Sequence, residues 1–366
     1  MTAHKKVGFA VVGLGSIAQS SVLPAFSHSK KARLVALVSR DKKKAARLAH
    51  KFKTPSFYGY EESAACLANP EVDAVYVATP QGEHAPLTVQ AAQAGKHVLC
   101  EKPLAATVEQ SALMVDACQK HHVSLMTAYR KYFEPSTRFL KQLIQGGALG
   151  RIDVMHTAFS ELHVRGKSLE WLLDSKMAGG GPLMDLGIYC VNTSRWLVGE
   201  DPVEVNAEAW TNDAVRFREV EEGISFRMQF PSALVMQGSS SYGAVMSSFI
   251  YVQGAKGWAL MSPAFDFNEE RRLTGKIQGR PIARRFKVMD EFAPELDAFA
   301  SAIQNKRKIE PDGVQGHQDM IILQSIYESA RNRKPVIIRY ESRSDRNLPG
   351  DQQYVRRHSE FCGFIS

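Results

Sequence analysis

Val7-Gly8-Phe9-Ala10-Val11-Val12-Gly13-Leu14-Gly15-Ser16-Ile17-Ala18 is the stretch on which the reading of this chain turns. Its first six residues form an uncharged, apolar run, as expected of a central strand buried on both faces. The run ends in G-x-G-x-x-A and passes into a mostly apolar, helix-like stretch through Phe26. In that pattern Gly13 permits a tight bend, Gly15 lets backbone approach a pyrophosphate, and Ala18 lets helix and strand pack closely. The helix start at Ser16 and Ile17 then offers free N–H groups to phosphate oxygens. A dinucleotide is the expected ligand, in an α/β domain with a parallel sheet.

The strands that follow end at the same crevice. Arg33 to Val38 reads as a second strand, ending at Ser39-Arg40 with Lys42, Lys43 and Lys44 behind it. An NAD site usually carries Asp or Glu at this place to accept from the ribose 2′-hydroxyl. Here a hydroxyl and a guanidinium stand instead, with Lys44 near, and Arg suits bidentate phosphate recognition. NADP is therefore the expected cofactor, with NAD possible because Asp41 is adjacent; the plainer reading makes Arg40 and the lysines a solvated first helical turn. Ala74 to Ala78 is a third strand, ending in Thr79-Pro80-Gln81-Gly82-Glu83-His84. His84 is either a loop-capping residue or a ligand contact.

His97 to Cys100 is the fourth, and runs into Glu101-Lys102-Pro103. Proline disfavours the helical conformation at the residue before it, so Lys102 is held extended where the strand stops. It either closes a loop or aims a cation into the crevice at the carboxyl ends of the strands, and its bond to Pro103 is a candidate cis peptide. Helices over 41–51, 61–68, 85–95 and 107–119 and a strand from Val123 to Ala128 complete a βα alternation. That alternation predicts a right-handed, mostly parallel sheet, in a first domain of residues 1–130.

Beyond Arg130 the texture changes. A helix over Pro135 to Gln145 is followed by strand-like stretches at 152–160, 203–211, 223–230, 233–241, 246–253 and 256–261. Short turns join several of them, which predicts a large, open, mostly antiparallel sheet. Helices over 293–305 and 313–331 and a short strand at Val336 to Ile338 close a second α/β domain, residues 131–340, before a basic tail over 341–366. Within it, Gly179-Gly180-Gly181-Pro182 leads into a helix whose Asp185, Tyr189 and Asn192 fall at i, i+4 and i+7. Asp185 alone reads as a first-turn acid complementing the helix dipole, and Tyr189 alone as a half-buried aromatic. Together, beside a glycine loop that permits close approach, they read as one wall of a pocket.

Composition narrows the rest. The 366 residues are 44% hydrophobic and 23% charged, ordinary for a globular protein. No apolar run approaches the length of a transmembrane helix, and the apolar run after the basic N-terminus is too short for an export signal. Five scattered cysteines without a C-x-x-C pair suggest neither a disulfide framework nor a metal site, so a reducing cytoplasm is the expected setting. Of the net charge of +8, most belongs to residues 1–60, which hold twelve Lys or Arg and a single acid, Asp41. An anionic cofactor accounts for that excess better than nucleic acid, because no aromatic–basic interleaving or reader motif accompanies it.

The residues quoted so far carry a family likeness. The chain resembles the Gfo/Idh/MocA oxidoreductases, and within them the glucose–fructose oxidoreductase and NADP-dependent aldose or dihydrodiol dehydrogenase branch. The likeness spans residue 7 to about 338. It rests on Gly13 to Ala18, Thr79-Pro80 with His84, Glu101-Lys102-Pro103, Ala128-Tyr129-Arg130, Gly179 to Asn192, and Pro311-Asp312-Gly313 to Ala330. It implies a Rossmann domain, a second domain whose open sheet forms a homodimer or homotetramer contact, and hydride transfer between a sugar-like alcohol and a nicotinamide. Lys102, Asp185 and Tyr189 become the polar set around the reacting carbon. The cofactor residues become Gly13, Gly15, Ser16, Ile17, Ala18, Ser39, Arg40, Lys44, Thr79, Pro80, His84, Glu101, Lys102 and Arg130. Many relatives have His at the place of Tyr189, so tyrosine points to the sugar-oxidoreductase branch. Several members of that branch follow the tryptophan before the glycine loop with an arginine near the cofactor. Here Trp171 is followed by Leu172, which argues against permanent cofactor retention.

The expected reaction is oxidation of an aldose at C1, with a trans-dihydrodiol or a keto-sugar as alternative substrates. Tyr189 would exchange the proton: a phenol is a weak base at neutral pH, and an ammonium beside it favours the phenolate. Lys102 is the expected neighbour, and Asp185 would orient the lysine or the sugar hydroxyls. A non-catalytic NADP sensor or scaffold is the alternative of another class, and keeping all three residues argues against it.

Overall fold

The structure is a computed structural model that describes residues 5–162 and 167–340; the basic tail expected over 341–366 lies outside the described residues. Six strands form the first sheet: β1 (Val7–Val12), β2 (Ala32–Ser39), β3 (Ser56–Gly59), β4 (Ala74–Val77), β5 (His97–Glu101) and β6 (Leu125–Ala128). All pair in parallel, in the order β3-β2-β1-β4-β5-β6. The order reverses between β1 and its two neighbours, which opens a crevice at the strands' carboxyl ends. β1 and β4 are buried at every position, as their uninterrupted apolar runs require. β3 was not expected from the sequence; it is a four-residue edge strand with mixed burial, too short to show alternation.

Nine strands form the second sheet. They are β7 (Ile152–Ser160), β8 (Glu204–Trp210), β9 (Gly223–Gln229), β10 (Val235–Ser241), β11 (Ser247–Gly254), β12 (Gly257–Ser262), β13 (Arg271–Ile277), β14 (Arg280–Phe286) and β15 (Val336–Ile337). Their order is β14-β13-β12-β11-β7-β10-β9-β8-β15. Every pairing is antiparallel except β7 with β10, which is parallel. β13 and β14 escape sequence reading because their Arg-rich segments lack an apolar face of ordinary length. One face of the sheet is core, with Met155, Phe159, Phe226, Met236, Ile250 and Val252 buried. On the other, His156, Tyr251 and Trp258 form a half-exposed aromatic row with ring centroids 6.0 Å apart.

The glycine-run helix begins in a wider turn than expected. Leu183–Gly187 is π-helical, and the α-helix proper runs over Ile188–Val198. Late in the chain, the helix Phe292–Asn305 leaves the second sheet and packs on the first. Its Phe292, Leu296, Phe299 and Ala300 join the buried cluster of Phe9, Leu23 and Phe26. The Asp297 carboxylate accepts from the Lys30 and Lys31 backbone N–H groups at 2.9 and 2.8 Å, which fixes the turn into β2. The last long helix, Gly313–Asn332, starts on an Asp312–Gln315 capping box and packs on the second sheet through β8 and on the helix Val108–Lys120.

Candidate active site

The glycine turn closes β1 against the end of β4. Gly13 has φ +92°, and a Cβ there would strike the Ala78 carbonyl, so only glycine fits. Gly15 differs: a Cβ there would meet nothing within 4 Å. Gly15 and Ser16 are exposed, Ile17 is half-buried and Ala18 is packed away. The turn thus offers open backbone at the place where a pyrophosphate needs it. On the β2 side, Ser39 is buried and its hydroxyl accepts from the Asp41 N–H at 3.2 Å. Arg40 is 70% exposed, lies over the Tyr60 ring at 5.5 Å, and forms an ion pair with Glu83. Lys44 sits in the first turn of the helix Lys42–Lys51, its N–H capped by the Asp41 carboxylate. Thr79 and Pro80 end β4 and complete this wall. These residues fit a dinucleotide with a 2′-phosphate: open glycine backbone, an exposed guanidinium and no carboxylate at the tip of β2.

At the end of β5 the Lys102–Pro103 bond is cis. Lys102 does not point to bulk solvent. Its ammonium donates to the Asp185 carboxylate at 2.9 Å and to the Asp185 carbonyl at 2.7 Å, with only 13% of its side chain exposed. It also stands 4.8 Å from the centre of the Tyr189 ring. Burial opposes the charge on Lys102, but Asp185, Tyr189 and Glu101 outweigh it and hold the ammonium above the ordinary lysine value. The second oxygen of Asp185 accepts from the Tyr242 hydroxyl at 3.1 Å. Burial, reinforced by Asp185, keeps that phenol protonated far above its usual range. Glu101 is turned inward and accepts from the Tyr76 hydroxyl at 2.8 Å. Burial pushes its carboxyl up, although Lys102 works against it.

Lys102, Asp185 and Tyr189, 83 and 87 positions apart at their extremes in the chain, therefore meet between the two sheets. The glycine loop brings the walls together. Gly179 has φ +78°, and a Cβ on it would lie 2.5 Å from the Ala106 carbonyl, just past the cis proline. The loop is not loose: the half-buried Glu221 carboxylate accepts from the N–H groups of Gly181 and Leu183, each at 3.0 Å, and from the Tyr327 hydroxyl at 2.9 Å. It is the neighbouring backbone, not a ligand, that demands glycine at 179.

Three expected site residues have other partners. His84 is 1% exposed, and its two ring nitrogens lie 2.8 Å from the Thr79 carbonyl and 3.1 Å from the Leu104 carbonyl. It ties the β4 loop to the β5 loop; burial holds its ring below the ordinary histidine value. Arg130 is 2% exposed and contacts Tyr189, Glu291 and the Phe265 carbonyl. Asn192 turns away from the pocket to donate to Asp319 at 2.8 Å, in a buried group with Arg195 and Tyr129. Tyr189 and Asn192 share the regular α-helix, and it is the buried Asp319 carboxylate that draws the Asn192 amide away. Sequence reading missed Tyr242, Glu221 and Glu291; each lies far along the chain from the group it serves, with no local motif.

A glycine-turn crevice walled by parallel strand ends, with a lysine, a carboxylate and a tyrosine meeting at its mouth, defines a nucleotide-dependent oxidoreductase of two domains. Residues 7–129 match a family model described as oxidoreductase family, NAD-binding Rossmann fold, and residues 137–260 match the GFO/IDH/MocA C-terminal domain. The chain belongs to the Gfo/Idh/MocA oxidoreductase family. It is 33% identical to the D-xylose 1-dehydrogenase [NADP(+)] of Haloarcula marismortui over 90% of this chain and 92% of that protein. It is 31% identical to the trans-1,2-dihydrobenzene-1,2-diol dehydrogenase of Mus musculus over 68% of this chain and 72% of that protein. Among solved structures, the aldose-aldose oxidoreductase from Caulobacter crescentus complexed with glycerol superposes with a TM-score of 0.87 at 36% identity, covering 91% of this chain and 100% of that one. No helix among the described residues is long and apolar enough to cross a membrane.

Proposed function

We propose that this protein oxidises the C1 hydroxyl of an aldose to the lactone with NADP. The observation that carries the reading is the Lys102 ammonium held against both Asp185 and the Tyr189 ring at the strand-end crevice. Similarity to a D-xylose dehydrogenase and to an aldose-aldose oxidoreductase supports the substrate class, and the NADP dependence of the former supports the cofactor. When bound, NADP supplies a hydride acceptor at its nicotinamide. Gly13, Gly15, Ser16 and Ile17 would hold its pyrophosphate, Arg40 with Ser39 and Lys44 its 2′-phosphate, and Thr79, Pro80 and Glu101 its nicotinamide side.

The chain's own work is to orient the sugar and to move one proton. Tyr189, in its phenolate form, takes the proton of the C1 hydroxyl on its phenolic oxygen and becomes the neutral phenol. The Lys102 ammonium stabilises the oxygen charge that develops, and Asp185, fixed by Tyr242, sets the direction of that ammonium. A cyclic trans-diol is the second substrate reading, favoured by the likeness to the mouse enzyme. The half-exposed row of His156, Tyr251 and Trp258 supports pairing of two copies through the second sheet. Among the described residues, four buried cysteines outside any disulfide support a reducing, cytoplasmic setting.

NADP reduction is measured with D-xylose, D-glucose and a trans-dihydrodiol, for the protein and for Lys102→Ala and Tyr189→Phe. Each substitution is expected to lower kcat by ~100-fold or more, the scale of a positioned acid–base group. Near-native turnover in both variants overturns the assignment. Cofactor binding without turnover of any of the three compounds favours the sensor reading.

A further inference from the structure

Beneath Tyr189 lies a group of charges that the proposed chemistry leaves unused. Arg130, Lys131 and Arg271 are each 2% exposed; Glu134 and Glu291 pair with them, and Glu101 and Glu295 lie within electrostatic reach of Arg130. Glu291 pairs with all three cations, including Lys131 and Arg271 at 3.1 Å each. Glu134 pairs with Lys131 at 2.9 Å and with Arg271 at 3.1 Å. Burial, and next the Arg130 guanidinium beside it, hold the Lys131 amine down to about 8.

One of these cations meets the proposed proton-transfer group. Arg130 is anchored through Nη1 to Glu291 and through Nη2 to the Phe265 carbonyl, and its guanidinium stacks on Phe267 at 4.0 Å. Its Nε donates to the Tyr189 hydroxyl oxygen at 3.1 Å. A guanidinium has no acceptor, so the tyrosine oxygen must accept in this bond and its own proton must point elsewhere. Phe159 and Phe265 pack against the Tyr189 ring and offer that proton no side-chain partner. The charged groups around the ring are Lys102 and Arg130; the nearest carboxylate, Asp185, is engaged by Lys102 and Tyr242, and Glu101 by Tyr76.

We infer that Arg130 is a positioning residue: anchored by Glu291 and the Phe265 carbonyl, it holds the Tyr189 oxygen so that the proton exchanged with the substrate lies on the substrate's side. This rests on the role proposed for Tyr189, and the test separates the two.

Arg130→Gln, Tyr189→Phe and the double variant are assayed for D-xylose-dependent NADP reduction across pH, and their melting temperatures are recorded. In the native background Arg130→Gln is expected to lower kcat by ~10-fold or more and to move the acid limb of its pH profile upward, because a cation beside the oxygen favours its anion. In the Tyr189→Phe background the same substitution changes kcat by less than ~2-fold, since groups that act through one another are not additive. The ultraviolet difference spectrum between the protein and its Tyr189→Phe variant isolates one phenolate without any substrate. Arg130→Gln should move the midpoint of that signal to higher pH. Should Arg130→Gln not fold, Phe267→Leu carries the same test, because Phe267 is 41% exposed and its stacking on the guanidinium is lost, together with its stacking on Phe292 at 6.3 Å. Equal losses in both backgrounds, or an unmoved difference signal, overturn the inference while leaving Tyr189 in place. Full activity in Tyr189→Phe overturns the function reading itself.

Discussion

Gly179→Ala tests whether the two walls of the crevice are held by backbone contact. Gly179 sits at φ +78°, where an L side chain costs about 1–2 kcal/mol. The added Cβ would also lie 2.5 Å from the Ala106 carbonyl and 2.9 Å from its Cα, and neither is the end of a flexible side chain. Relief requires moving the loop after the cis proline or the loop that leads to Asp185; forced overpacking of this kind costs ~1–3 kcal/mol. Together the two terms predict a destabilisation of ~2–5 kcal/mol. Melting temperature and denaturant midpoint measure it, with Gly15→Ala as the control. At Gly15 the Cβ enters open space, so stability should hold within ~0.5 kcal/mol. NADP affinity, read by quenching of intrinsic fluorescence, should instead fall by ~10-fold, or about 1.4 kcal/mol. A Gly179→Ala protein as stable as the native one refutes the contact argument. A Gly15→Ala protein that loses stability but keeps its cofactor affinity reverses the roles given to the two glycines.

Other perturbations read different parts of the structure. Burial places the Glu295 carboxyl well above the ordinary range, with no hydrogen-bond partner for either oxygen. The folded chain then keeps a proton that the unfolded chain releases above ~4.3, so this group lowers stability as pH rises. Glu295→Gln should gain melting temperature relative to the native protein from about pH 5 to about pH 8, and a constant difference would contradict this. Asp319 is fully buried against Arg195, Tyr129 and Asn192; Asp319→Ala should cost ~3–5 kcal/mol by calorimetry, and a loss below ~1 kcal/mol would leave the network without structural weight. Arg40→Ala should raise KM for NADP far more than KM for NAD in steady-state kinetics, and an equal effect would remove the 2′-phosphate argument.

How far the sequence could be read depended on whether a feature was local. Buried parallel strands announce themselves as apolar runs, so β1, β4 and β5 and the crevice at their ends were legible, and with them Lys102 and the glycine turn. The second sheet was legible where alternation was clean, and lost at β13 and β14, where Arg271, Arg272, Arg280, Arg284 and Arg285 obscure it. Asp185 and Tyr189 were found because a glycine run marks them. Arg130 reads as a cofactor residue from its place beside a strand end, but its partner Glu291, 161 residues away, has no local signal. His84 reads both as a loop-capping residue and as a ligand contact. Both its nitrogens meet backbone carbonyls, and no sequence pattern distinguishes a carbonyl partner from a ligand.

The helix Phe292–Asn305 has a consequence for biogenesis. It seals the face of the first sheet where Phe9 and Phe26 lie, yet it leaves the ribosome after the whole second sheet except β15. During synthesis the amino-terminal half therefore carries an unsealed aromatic surface while some 160 further residues are added. An intermediate with such a surface is prone to aggregate. The nucleotide-binding half is thus expected to mature last, after the chain has returned to the layer from which it began.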